Sequence, residues 1–223
     1  MAASEWRGYP ELLPDVEVVA VDLPGHGERV AEEFTTLAAL ETIRAAVDCR
    51  LPGQRVVLAG HSLGGYLAML YAARHPGSVD ALVLIGATAE PVGVLAAVYR
   101  QFATALPVIG HDRMSRAANA VMRRLGADPR TLTGPESYAA LAPSWQTVRD
   151  ECRGSLLEQV DCPVTLVNGQ FDQMRIHVGR FARAAGHGTR VVTVPRATHL
   201  LPLTHPDLLA EALRGATGSL DPR

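Results

Sequence analysis

Five short runs of β-branched and aliphatic residues recur along the chain, and their near-continuous apolarity sharply limits what it can fold into. They are Val16 to Asp22, Arg55 to Gly60, Ala81 to Gly86, Pro163 to Asn168 and Arg190 to Val194. A strand with one wet face alternates polar and apolar residues, whereas a strand covered on both faces does not, and such strands belong to parallel sheets. Longer segments of helical periodicity separate the runs, as crossover connections require. In one of them Leu37, Leu40, Arg44 and Val47 form a turn-spaced row with Ile43 beside it, and Thr35 or Thr36 can cap its start. In another, Leu63 to Arg74, Leu67, Leu70 and Tyr71 share a face, and His75-Pro76-Gly77 ends the helix. The expected fold class is α/β, with a mostly parallel central sheet flanked by helices.

At 223 residues with 48% hydrophobic content, roughly 70% of the unfolded chain's surface can be buried, so neither disulfides nor metals are needed to hold a core together. The three cysteines, Cys49, Cys152 and Cys162, are odd in number and lack metal-ligand spacing. They suggest a reducing compartment, and cytoplasmic localisation is expected. Met1 to Leu13 has no basic region followed by a long apolar run, and no stretch reaches 18 apolar residues, which predicts neither secretion nor a membrane span.

All 21 basic residues are arginine. A P-loop needs a lysine at the phosphates and a Schiff-base enzyme needs a lysine amine, so both chemistries are excluded. The arginines are scattered and the net charge is -2, which leaves no electrostatic footprint for nucleic acid. The expected partner is a small-molecule substrate, with no cofactor, no metal, no nucleic acid and no membrane; the sequence does not set the oligomeric state.

From about Val92 to Val160 the chain carries an insertion too long for a simple crossover. Pro107, Gly110, Gly126, Pro129, Gly134, Pro135 and Pro143 divide it into short helices. It reads as a helical cap over residues 92–160, set into a core made of residues 1–91 and 161–223. Val98, Phe102, Met114, Met122, Tyr138 and Trp145 could line a pocket there, although packing of the cap on the core accounts for most such residues.

The chemistry is concentrated in Gly60-His61-Ser62-Leu63-Gly64, a G-x-S-x-G sequence between a strand ending near Gly60 and a helix opening at Leu63. A serine at that junction sits on a tight, strained turn, and the small residues on either side let the backbone fold sharply and lift Oγ above the sheet. The helix N-terminus favours the negative charge that builds during attack on a carbonyl, with the Leu63 amide as one oxyanion donor. Ser62 is the expected nucleophile.

A serine needs a base within hydrogen-bond reach. Of eight histidines, His61 belongs to the turn, His26 follows the first strand, and His75 and His111 sit at helix ends. His199 follows the last strand on the loop Pro195-Arg196-Ala197-Thr198, at the carboxyl edge of the sheet where Ser62 also emerges. His205 is the runner-up and fits better as the opening of the final helix. The carboxylate that orients the base is expected at Asp172, beyond the strand Pro163 to Asn168, which gives the chain order serine, acid, histidine. Glu90 is the weaker candidate.

These segments resemble the α/β-hydrolase superfamily in its capped esterase and lipase-like branch. Val18 to Asp22 with Leu23-Pro24-Gly25-His26-Gly27 is similar to the family's fourth strand and loop, and Gly60 to Gly65 to its nucleophile elbow. Cys162-Pro163-Val164 through Gly169 and Asp172 is similar to the seventh strand and acid loop, and Val194-Pro195 through His199 to the histidine loop. The resemblance implies a serine hydrolase that cleaves a small, apolar carboxylic ester or related acyl substrate through an acyl-enzyme. The same scaffold also supports cofactor-free haloperoxidase-like and carbon–carbon bond hydrolases, and a pseudo-enzyme that only binds a small apolar ligand is a further alternative.

Only 15 residues precede the strand matched to the family's fourth. Three strands of the family pattern, and the loop that supplies the second oxyanion amide, are thus absent, while Ser4-Glu5-Trp6 resembles what normally follows that loop. The expectation is an N-terminally shortened form of a longer hydrolase, with little esterase activity by itself and an unfilled place in the sheet.

Overall fold

The computed structural model describes residues 2–90, 116, 119–120 and 139–218. Four strands, β1 (Val57–His61), β2 (Ala81–Ile85), β3 (Val164–Gly169) and β4 (Arg190–Val194), form one sheet in the order β1-β2-β3-β4. All three pairings are parallel, with Gly60 opposite Leu84, Ile85 opposite Val167 and Gly169 opposite Val194. Consecutive strands therefore end at one edge of the sheet.

The apolar runs behave as two-sided strands where the sheet is deepest. Every residue of β2 and β3 is buried. Leu82 and Leu84 point into a cluster with Leu67, Leu70 and Leu166, while Val83 and Ile85 point into a second cluster with Val167, Leu201 and Leu209 on the other face. The helix behind Ser62, α3 (Leu63–Arg74), is buried continuously from Gly65 to Ala73 and not only along the expected face. It ends at His75, as the following Pro-Gly predicts. In α2 (Thr36–Asp48), Thr35 Oγ1 accepts the Ala38 N–H as the N-cap, and the buried face is Ala39, Leu40, Ile43 and Val47. Leu37, read as part of that face, is 72% exposed.

Two strand expectations need correction. β4 is a true strand but an edge one, with Arg190, Val191 and Thr193 exposed, since nothing among the described residues pairs beyond it. Val16 to Asp22 runs without a ladder. A cavity of about 490 Å3 separates it from β1, lined by Val18, Val21, Ile43, Val47, Leu58 and Ala59 among others. A β pair needs its strands roughly 5 Å apart, so apolar character alone could not produce the pairing across this gap. Asp22 at its end is nevertheless fixed, accepting from the amides of Ala3 and Glu28.

Of the expected cap, residues 91–115, 117–118 and 121–138 lie outside the described residues, and with them Val98, Phe102, Met114, Met122 and Tyr138. The remainder docks on the core. In α4 (Leu141–Glu151), Val148 is buried and Trp145 packs beside the first cluster. Thr36 Oγ1 lies 2.8 Å from Thr147 Oγ1 and 2.9 Å from Glu151 Oε1, and Arg74 pairs with Glu151 at 2.6 Å. Beyond α5 (Val178–Ala185), α6 (Leu201–Thr204) and α7 (Pro206–Gly218) cover the second face, and Tyr9 in α1 (Tyr9–Leu12) donates its hydroxyl to the Pro202 carbonyl at 2.9 Å.

Candidate active site

Ser62 stands between β1 and α3 with φ 51° and ψ -119°, a conformation that costs a non-glycine residue about 1–3 kcal/mol. Its amide is held by the Ile85 carbonyl at 2.8 Å, which fastens the turn to the end of β2. The sharpness depends on Gly60: a Cβ there would lie 2.2 Å from the Gly64 carbonyl oxygen. Leu63 is the first residue of α3, where backbone amides have no intrahelical acceptor and point out of the helix end.

Ser62, Asp172 and His199 come together at this edge. His199 Nε2 lies 3.0 Å from Ser62 Oγ, and His199 Nδ1 lies 3.0 and 3.2 Å from the two Asp172 carboxylate oxygens. The Asp172 side chain is fully buried, and its Oδ1 also accepts the Met174 N–H at 2.8 Å. With a carboxylate facing it, Nδ1 carries the proton. Nε2 then presents its lone pair to the serine hydroxyl. The acid and histidine loops are bonded to each other, Phe171 N–H to the Ala197 carbonyl at 2.9 Å and Arg196 N–H to Gln170 Oε1 at 2.9 Å.

The alternatives are engaged elsewhere. Glu90 accepts from Arg180 Nη1 at 2.9 Å, and its amide donates to His177 Nδ1. His205 contacts Thr204 Oγ1 at 2.8 Å and immediately precedes α7. His75 stacks on Tyr71, and His26 Nδ1 faces the Pro24 carbonyl. Burial pushes His26 down to about 4, outweighing that carbonyl and Asp22. His111 lies outside the described residues.

Three residues, Gly86, His61 and Glu5, were not legible as parts of the site. Gly86, with φ +56°, makes room for the acid–histidine pair: a Cβ there would sit 3.0 Å from Asp172 Oδ2 and from His199 Nδ1. A glycine closing an apolar run was the only sequence signal. The buried His61 and the partly buried Glu5 form a second pair, with His61 Nδ1 2.7 Å from Glu5 Oε1 and His61 Nε2 2.8 Å from the His199 carbonyl oxygen. Burial alone would raise the Glu5 carboxyl, but the charge and hydrogen bond of His61 outweigh it and hold it below its ordinary value. Burial alone would lower His61, but Glu5 and the His199 carbonyl outweigh it and hold the imidazole above its ordinary value.

Among the described residues no group of His, Cys, Asp and Glu side chains could hold a metal ion, and no helix is long and apolar enough to cross a membrane.

A sequence model of the alpha/beta hydrolase family matches residues 1–212. The chain belongs to the alpha/beta hydrolase family. Among relatives of this hydrolase, a pimeloyl-[acyl-carrier protein] methyl ester esterase of Neisseria meningitidis serogroup A is 28% identical over 92% of this chain and 69% of its own length. A 2-succinyl-6-hydroxy-2,4-cyclohexadiene-1-carboxylate synthase of Serratia proteamaculans is 26% identical over 95% of this chain and 87% of its own. The crystal structure of a thermophilic esterase from Thermogutta terrifontis shares the fold of this hydrolase at a TM-score of 0.77 and 23% identity, covering 99% of this chain and 86% of that one.

Gly86→Ala tests the space beside the acid–histidine pair. A Cβ must push Asp172 or His199 aside and also accept a left-handed φ, so the variant is expected to lose about 1–3 kcal/mol of stability and roughly 10²-fold in activity. Denaturant melts and ester turnover measure the two losses; a variant as active as the parent would show that the pair has slack.

Proposed function

We propose that the chain is a serine ester hydrolase that acts on a small, apolar carboxylic ester or related acyl compound through an acyl-enzyme at Ser62. The observation that carries this reading is the single imidazole of His199, committed through one nitrogen to Asp172 and through the other to Ser62. In the first half-reaction Nε2 takes the proton of Ser62 Oγ as the oxygen attacks the ester carbonyl. The imidazolium that forms is stabilised by the buried Asp172 carboxylate, and the same proton then goes to the departing alcohol oxygen. In the second half-reaction water takes the place of the alcohol, and His199 again removes the attacking proton. The negative oxygen of each tetrahedral intermediate forms in front of α3, where the Leu63 N–H and the helix dipole favour it.

The esterase among the relatives supports the choice of an ester. The synthase, at similar identity, favours a second reading: non-hydrolytic or carbon–carbon bond chemistry in which His199 and Ser62 move a proton without a lasting acyl-enzyme. Covalent capture separates the two. A cytoplasmic setting, suggested by three unpaired cysteines of which Cys152 is buried, remains part of the proposal.

Ser62 is expected to be the residue labelled by a fluorophosphonate, with Ser62→Ala unlabelled; an adduct located elsewhere by mass spectrometry would refute the assignment. Asp172→Asn is expected to slow hydrolysis of a short p-nitrophenyl ester by roughly 10⁴-fold, because the wrong tautomer then faces the serine. Glu90→Gln, which breaks a pair with Arg180, is expected to change the rate little. The reverse ranking would move the acid to the loop after β2.

A further inference from the structure

Beside the site lies a second histidine whose protons are constrained by what surrounds it. His61 is 5% exposed. Its ring centroid lies 4.9 Å from that of His199, at an interplanar angle of 42°. Nε2 faces the backbone carbonyl oxygen of His199, which has no proton to give, so that bond at 2.8 Å exists only if Nε2 carries a hydrogen. Nδ1 faces Glu5 Oε1 at 2.7 Å, a distance typical of a charge-assisted bond. With Nε2 already protonated, the bonding proton of the second contact sits on Nδ1 against a carboxylate, or on a neutral carboxylic acid. The first arrangement makes His61 an imidazolium. The charge balance around it suits a cation, since Glu5 and Asp172 supply negative potential and His199 is the other titratable group that faces it.

We infer that Glu5 and the buried His61 form a carboxylate–imidazolium pair that grips the backbone of His199 and holds its imidazole in register with Ser62. His61 is thus a positioning residue, and Glu5 keeps it doubly protonated. The inference rests on the reading of Ser62 and His199 as nucleophile and base. It links the amino-terminal turn Ala3–Trp6, the elbow residue next to the nucleophile, and the histidine loop, three segments far apart in sequence.

The pair has a pH signature with a definite sign. Glu5 is held below its ordinary 4.5, so its contribution to stability is full above that pH and is lost as the pH falls through its value in the folded protein. His61 is held above its ordinary 6.5, so its contribution is full below that pH and is lost as the pH rises through its folded value. When His61 loses a proton on the alkaline side, it can no longer donate to both Glu5 and His199. Activity is then expected to fall along an alkaline limb that belongs to His61 and not to the base.

Two measurements on the full chain test this. The first is ¹⁵N NMR of ring-labelled histidine, with the His61 signals assigned by their loss in His61→Ala. Both ring nitrogens of His61 are expected to be protonated at neutral pH, and a neutral-imidazole pattern there would overturn the inference. The second is the pH profile of kcat/KM for a short p-nitrophenyl ester. His61→Ala is expected to lower kcat by roughly 10²-fold with KM changed far less, as for a misplaced base. In Glu5→Gln a neutral His61 can still donate from Nε2 to His199 while accepting from the glutamine amide. That variant is expected to lose only a few-fold in kcat and to lack the alkaline limb. An unchanged alkaline limb in Glu5→Gln would also overturn the inference. Because the NMR readout needs no turnover, absence of fluorophosphonate labelling at Ser62 would mark failure of the functional reading separately.

Discussion

The parallel register of β1, β2 and β3 about a fully buried centre is the constraint on which the rest of the site depends. Ser62 follows β1, Gly86 follows β2, Asp172 follows β3 and His199 follows β4, and none of these residues is local to another in sequence. They meet because Gly60 is level with Leu84 and Gly169 with Val194, so the four loops leave the sheet at one edge. A slip of one residue in any pairing would turn a buried side chain of that strand toward the opposite face. The two apolar clusters on the sheet faces make such a slip costly, and packing therefore indirectly sets a distance of 3.0 Å between an imidazole and a hydroxyl.

Close approach at that edge requires residues with little or no side chain. Gly60 lets α3 start against the end of β1, Gly86 leaves room for the acid–histidine pair, and a Cβ at Gly169 would come within 2.5 Å of the Ala197 and Thr198 carbonyl oxygens. Strain at Ser62 is the counterpart. It is retained because the hydrogen bond from the Ser62 N–H to the Ile85 carbonyl and the burial of α3 fix both ends of the turn. Polar groups brought to the same edge are matched in pairs, His199 with Asp172 and His61 with Glu5, so neither the buried Asp172 nor the partly buried Glu5 is left without a partner.

Much of this was legible in the sequence because it depends on short-range pattern. Four of the five apolar runs are strands, Thr35 caps α2 as its hydroxyl and position predict, and His75-Pro76-Gly77 stops α3 where such residues stop helices. G-x-S-x-G was readable because a strand before it and a helix after it leave a serine few other conformations. What escaped depends on partners distant in the chain. Val18 to Asp22 has the composition of a strand, but pairing is a property of two segments, and here a cavity lies between it and β1. Leu37 fits the apolar row of α2 by spacing, yet the helix is rotated so that Ala39 and Ile43 face inward. Glu5 and His61 are 56 residues apart, and no periodicity announces their contact. His61 read as part of the turn because the G-x-S-x-G pattern points to its neighbour as the candidate nucleophile.

Ser62 is proposed to form a covalent acyl intermediate with help from His199 and Asp172. Mixing the protein with a short p-nitrophenyl ester, quenching in acid within the first turnover and mapping the adduct by mass spectrometry tests it most directly. A burst of p-nitrophenol no larger than one per active chain is expected, with the acyl group on Ser62. Release of p-nitrophenol with no acylated peptide, or with the acyl group on another residue, would contradict it.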